Sequence, residues 1–208
     1  MDLYFTGHNY KYAAEQMLLT LYPEERPVYP DHAPRGDRAE LTLTETEAVC
    51  VLIRAGVRTE TAVPIRPADS RRERVRQEQH ALKLAFYRAA LASGVKKPAW
   101  GALTGVRPGK LFCALLNRGL DEQEALRHFI EEYDVSPERA ALCLDASRQT
   151  LKAASLLQKR DICLYVGIPF CPSICLYCSF GSHPLERYGH LSDDYLSALI
   201  KELTFIAQ

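Results

Sequence analysis

The chain has no net charge and no apolar run of the ~18–20 residues that a membrane-spanning helix requires. Its 26 basic residues are matched by 26 acidic ones, so no overall field draws it to nucleic acid or to an anionic membrane. Residues 1–12 lack the apolar core of a signal peptide. Seven cysteines without such a signal point to a reducing, cytoplasmic setting in which thiols serve as ligands rather than as disulfides. A phosphate-binding loop is also missing. In Gly105-Val106-Arg107-Pro108-Gly109-Lys110 only three residues separate the glycines and Leu111 follows the lysine, so the segment reads as the start of a helix. What is present is a 47% hydrophobic composition, enough to bury a core.

The pattern along the chain predicts an α/β fold in three parts. Residues 1–66 read as a small α/β domain. A strand is expected at 2–6, a helix at 10–21 ended by Pro23, and strands at 40–44, 48–54 and 57–64, with Ala55-Gly56 as a turn. A sheet with one covering helix is the expected result. Residues 67–160 read as a helical connecting region. Its helices start at Ser70-Arg71-Arg72-Glu73, Pro108, Asp121 and Ser136-Pro137-Glu138, with stops at Gly94 and Gly119. Arg71, Arg72, Arg74 and Arg76 alternate with Glu73 and Glu78 as on a solvated helix face. Residues 161–208 change character. The continuous apolar run 162–168 predicts a parallel strand covered on both faces. A cysteine loop follows, then a helix from Ser192 with Asp193 and Asp194 in its first turn. Strand, loop and helix make the first β/α unit of a barrel that needs ~250 residues in full. The chain is therefore expected to be the front portion of a longer protein.

The chemistry sits in that loop. Cys171, Cys175 and Cys178 form a C-x3-C-x2-C cluster, with Tyr177 beside the third thiol. Three thiolates can hold three irons of a [4Fe–4S] cluster and leave the fourth open to a small ligand, whereas electron-transfer clusters are normally closed by four cysteines. Zinc is the alternative, with His183 completing a Cys3His set. Cys163 is a poor fourth ligand, lying eight residues back along a strand and up to roughly 26 Å away if extended. Cys50, Cys113 and Cys143 read as small buried hydrophobes. Tyr177 is placed either to pack the loop or to lie against a flat adenine-like group. Tyr165, on the strand, is placed either to fill a barrel or to meet a cofactor.

Tyr165-Val166-Gly167-Ile168-Pro169-Phe170-Cys171-Pro172-Ser173-Ile174-Cys175-Leu176-Tyr177-Cys178-Ser179-Phe180 resembles the cluster segment of radical S-adenosylmethionine (SAM) enzymes. More narrowly it is similar to the oxygen-independent coproporphyrinogen III oxidase group. Trp100-Gly101-Ala102-Leu103-Thr104-Gly105-Val106-Arg107-Pro108 and the front domain resemble its HemZ-type, coproporphyrinogen dehydrogenase-like branch. The specific match covers residues 161–201, with a looser one over 98–111. The resemblance implies a truncated radical SAM TIM-like barrel, a [4Fe–4S] cluster on Cys171, Cys175 and Cys178, and SAM contacts from Tyr165 and Tyr177. It also implies a tetrapyrrole substrate, a reducing electron donor, and oxidative decarboxylation of coproporphyrinogen III propionates to vinyls in haem biosynthesis. Gly167 stands where better-characterised members carry His, and Phe180 where they carry a further Cys. The exact tetrapyrrole thus stays open, as does a role in haem binding or delivery without dehydrogenase activity.

Overall fold

The computed structural model describes residues 1–32, 35–104, 107–175 and 178–207. The protein is mixed α/β, as the sequence predicts, and divides into two compact units, residues 1–157 and 158–208.

The first unit opens with a four-stranded sheet. Strands β1 (Asp2–Thr6), β2 (Arg38–Leu43), β3 (Glu47–Arg54) and β4 (Val57–Pro64) lie side by side in chain order. β1 and β2 are parallel because helix α1 (Lys11–Leu21) carries the chain back between them, and the other pairs are antiparallel. The period-two alternation of these strands sends Ala39, Leu41, Ala48, Cys50, Leu52 and Val63 into the core. Ala55 and Gly56 both take positive φ, at 48° and 79°, which is what a two-residue hairpin turn between twisted strands demands.

Helix α2 (Arg71–Ala92) lies across β3 and β4 and against α1. Its start is capped as predicted: the Ser70 side chain accepts from the Glu73 N–H at 3.1 Å. The Glu73 carboxylate turns instead to Gln77 at 2.9 Å. Ala81, Leu82, Ala85, Phe86, Ala89 and Ala90 share one core with the sheet and with Met17 and Leu18 of α1. Small alanines let the helix axis come close enough for Thr59 and Thr61 of β4 to donate hydroxyls to the Ala89 and Ala85 carbonyls, at 2.9 and 2.6 Å. The sheet therefore has two covering helices rather than one. The expected domain boundary at residue 66 falls within this common core.

A second core belongs to α3 (Pro108–Asn117), α4 (Glu122–Tyr133) and α5 (Pro137–Leu156). Phe112 and Phe129 meet at its centre with ring centroids 4.9 Å apart. Asp121 and Glu124 form a reciprocal capping box at the start of α4, and Ser136 caps α5. The seam between the two cores is made where α4 ends. Asp134 stops the helix in the left-handed region, φ 54°, and its carboxylate accepts the Tyr87 hydroxyl of α2 at 2.6 Å and pairs with Lys97. Ala102 N–H donates to the Tyr133 carbonyl at 2.7 Å, and Ser136 N–H to Ala99 at 2.9 Å. Gly101 sits within this weave at φ 54°, where an added Cβ would lie 2.1 Å from the Tyr133 oxygen and 2.4 Å from that of Asp134.

The second unit contains β5 (Phe170–Cys171), β6 (His183–Pro184), a short α6 (Leu185–Tyr188) and α7 (Ser192–Ile206). Here one expectation fails. Residues 162–168 form no strand; the ladder begins two residues later, at Phe170. A strand needs a neighbour to satisfy its backbone, and among the described residues none pairs with this run. Its side chains consequently face solvent, Ile162 at 80% and Tyr165 at 84% exposure. Helix α7 forms as predicted but buries none of its residues. Among the described residues, no helix is long and apolar enough to cross a membrane.

Two glycine substitutions separate backbone strain from collision. Gly94 has φ 95° with open space where a Cβ would stand, so Gly94→Ala should cost about 1 kcal/mol. Gly101→Ala adds contacts with backbone atoms that cannot swing aside, and should cost about 3 kcal/mol or more. Urea unfolding midpoints of the two variants check the order; equal losses would mean that the seam yields freely.

Candidate functional site

The three motif cysteines stand on a loop closed at its base by a two-residue parallel ladder. Phe170 pairs with His183 and Cys171 with Pro184, and the His183 N–H donates to the Pro169 carbonyl at 2.7 Å. Within the loop, Cys178 N–H donates to the Cys175 carbonyl at 2.9 Å, which holds the C-x2-C pair close in space. The Cys178 sulfur lies 3.7 Å from the Ser182 hydroxyl and 3.9 Å from the Phe180 carbonyl. Cys171 and Cys178 are half-buried and Cys175 is exposed, and all three are free thiols.

The base of the loop is braced by aromatic side chains. Phe170 meets Tyr195 of α7 edge-on, with centroids 5.5 Å apart, and the Tyr195 hydroxyl donates to the Gly167 carbonyl. His183 lies against Tyr188, with centroids 5.0 Å apart. Among the described residues, no three His, Cys, Asp or Glu side chains are already gathered to hold a metal ion, so neither the three thiols nor a Cys3His set forms a ready-made pocket. The fit to an iron–sulfur cluster is one of donor chemistry. Three soft thiols share one strand-closed loop within reach of solvent, and Cys163 lies apart in the unladdered run. Tyr165 is exposed, with its ring edge 3.3 Å from where a Cβ on Gly167 would stand. A larger residue at 167 would therefore push directly on this ring. Tyr177 lies outside the described residues, as do Gly105 and Val106 of the rejected phosphate loop. Of the other cysteines, Cys50 and Cys143 are buried as expected, and burial raises both thiol pKa values. Cys113 is half-buried with its sulfur 4.0 Å from the Ser147 carbonyl.

The first unit holds titratable clusters that the sequence reading missed. At the edge of the sheet, His8 uses both ring nitrogens. Its Nδ1 accepts the Tyr10 N–H at 3.1 Å, so Nε2 carries the proton and donates to the Leu41 carbonyl at 3.1 Å. This histidine ties β1 to β2 and is structural. Between α2, α3 and α4 lies a cleft of about 710 Å³. His80 and His128 both stand edge-on to Tyr133 there, at 4.9 and 5.8 Å, and Arg66 pairs with Glu132. Burial, and then the nearby Lys83, push the His80 pKa down to about 4, with Glu132 opposing. The signal for this cleft was present in the basic residues 107, 110 and 118, which recur on one face of α3. They were not read as a group.

The chain is 26% identical over 144 residues, 68% of its length, to the oxygen-independent coproporphyrinogen-III oxidase-like protein HemZ of Bacillus subtilis (strain 168). The matched stretch is 29% of that relative, so the chain spans under a third of its length. A match this long in a chain of 208 residues necessarily takes in the middle third, the region of α2 to α4. No family model matches the chain. No solved structure matches it.

The half-buried His80 makes a pH prediction. His80 is neutral in the fold, while an unfolded histidine takes a proton below about pH 6.5. Its contribution is therefore present above pH 6.5 and is lost as pH falls toward 4, by about 3 kcal/mol in all. His8 and His128, also lowered by burial, add in the same direction. Unfolding free energy measured between pH 7 and 4.5 should fall in the native chain and fall less steeply in His80→Gln.

Proposed function

We propose that the protein is a radical SAM oxidoreductase in which Cys171, Cys175 and Cys178 hold a [4Fe–4S] cluster. Its substrate is coproporphyrinogen III or a related tetrapyrrole. The observation that carries the reading is the thiol loop, which offers three cysteines on one ladder-closed turn and no fourth thiol within the loop. That donor set leaves one iron for an outside ligand. Similarity to HemZ adds support, because the matched stretch must take in the α2–α4 region, which lies outside the loop, and a cysteine motif alone does not produce it.

When bound, the cluster and SAM supply one-electron reductive chemistry. The residues of this chain bind and orient. The three thiolates grip the cluster, the Phe170–Tyr195 contact and the β5–β6 ladder hold the loop base, and Tyr165 and Tyr177 offer aromatic faces for the adenine of SAM. The reaction proposed is oxidative decarboxylation of two propionates to vinyls, giving protoporphyrinogen IX; in each round carbon dioxide leaves, the hydrogen lost by the side chain would pass to one SAM, which ends as methionine and 5′-deoxyadenosine, and the electron released would replace the one drawn from the donor. It requires a reducing electron donor and a cytoplasmic setting protected from oxygen.

Anoxic purification tests this directly. About four irons and four sulfides per chain are expected, with an electron paramagnetic signal in the reduced protein that changes when SAM is added. Cys171→Ala, Cys175→Ala and Cys178→Ala should each lose most of the iron. Zinc without iron or sulfide would overturn the proposal in favour of the Cys3His site. The substrate is tested on the gene product in full, with SAM, a reductant and coproporphyrinogen III. Tetrapyrrole binding without turnover would overturn the dehydrogenase assignment and point to a haem-handling role.

A further inference from the structure

The cleft between α2, α3 and α4 is unusual in charge. Arg66, Arg76, Arg107, Lys110 and Arg118 line it, against only Glu73 and Glu132. In a chain whose charges cancel overall, this is a local concentration of positive potential, and low-dielectric walls focus such a field. Both carboxylates are already engaged, Glu132 by Arg66 and Glu73 by Arg76 at 3.7 Å. Arg107, Lys110 and Arg118 make no ion pair among the described residues. They come from one face of α3 and its flanks, because positions 107, 110 and 118 recur at helical spacing.

Between these cations the walls are apolar and aromatic. Leu111, Ala114 and Leu115 line the same face of α3, and Tyr133 stands opposite with His80 and His128 edge-on to its ring. The volume, about 710 Å³, lies within the range of organic-ligand sites and well above what a lone inorganic ion fills. An apolar, ring-lined interior with a cationic surround selects a molecule with the complementary layout.

We propose that this cleft binds an organic polyanion, a flat ring-bearing body with two or more phosphate or carboxylate groups. The body lies against Leu111, Leu115 and Tyr133, and the anionic groups meet Arg76, Lys110 and Arg118. All of its lining residues belong to the first unit, and binding there does not require the cluster.

Calorimetric titration of the full chain with ADP and with benzene-1,2,4,5-tetracarboxylate distinguishes a phosphate from a carboxylate source. At least one should bind, more weakly as salt is raised. Orthophosphate, which lacks the ring body, should bind at least tenfold more weakly than the better organic probe. Lys110→Glu should weaken that probe at least tenfold. Arg118→Ala, at an exposed position, should weaken it severalfold and serves if the charge reversal perturbs folding. The His80 and His128 ring resonances should shift on saturation. No binding of either probe at millimolar concentration would overturn the proposal. So would binding that is indifferent to both substitutions, or orthophosphate binding as tightly as the organic probes. Iron content plays no part in these readouts, so failure here is distinct from failure of the cluster assignment.

Discussion

The first unit depends on the left-handed turn at Asp134. This turn ends α4, receives the Tyr87 hydroxyl from α2 and the Lys97 ammonium, and brings the Tyr133 carbonyl to Ala102. Among the described residues the two cores share no buried residue, and this set of polar contacts joins them beside the His80–Tyr133 ring contact. A polar joint specifies geometry more sharply than a greasy one, since each donor must find its acceptor and a buried partner left alone is penalised. Gly101 is the steric side of the same constraint, for it lets one backbone lie directly on another. Once α4 is set against α2, α3 follows through the Phe112–Phe129 contact. The walls of the basic cleft are then fixed relative to one another without Arg107, Lys110 or Arg118 having to hold them.

The two candidate sites are thus built on opposite principles. The cleft is assembled from rigid helices, and its cations are displayed by a frame whose stability lies elsewhere. The thiol loop has little frame. Its base is a ladder of two residue pairs, the aromatic contacts of Phe170 with Tyr195 and of His183 with Tyr188, and one tyrosine hydroxyl, and among the described residues of the second unit none is deeply buried. A site on helices is preorganised, whereas a site on such a loop takes its final shape from what it binds.

What could be read from the sequence follows the range of the interactions involved. Strand β4 has the predicted bounds 57–64, the caps at Ser70 and Ser136 stand where they were expected, and the helix expected to start at Asp121 begins one residue later with Asp121 as its cap, because alternation, turns and caps are decided by residues a few positions apart. The partner of α2 was not legible. Its periodicity says that it is a helix, but not that the alanines at 81, 85 and 89 are there to admit threonines from β4. The reading of 162–168 failed for the same reason in reverse. A continuous apolar run signals a demand for burial, and supplying that burial is the business of strands that need not be near in sequence. The thiol motif was legible because its cysteines are neighbours, and the cleft was not because three elements and a left-handed turn are needed to assemble it.

These local and long-range terms meet in the second unit. Its apolar residues, among them Ile162, Ile168, Ile200 and Phe205, remain exposed, so hydrophobic burial contributes little to its order. Backbone ordering opposes folding by about 1–2 kcal/mol per residue, and two ladder pairs cannot offset that across the loop. A multidentate ligand could. Under the proposed ligation each thiolate would close a short segment, Cys171 to Cys175 and Cys175 to Cys178, and metal-site formation in small loops is itself folding free energy. The hydrogen bond already present between Cys175 and Cys178 and the ladder already present at Cys171 leave few large rearrangements for that step, which would add to whatever burial the apolar run 162–168 finds.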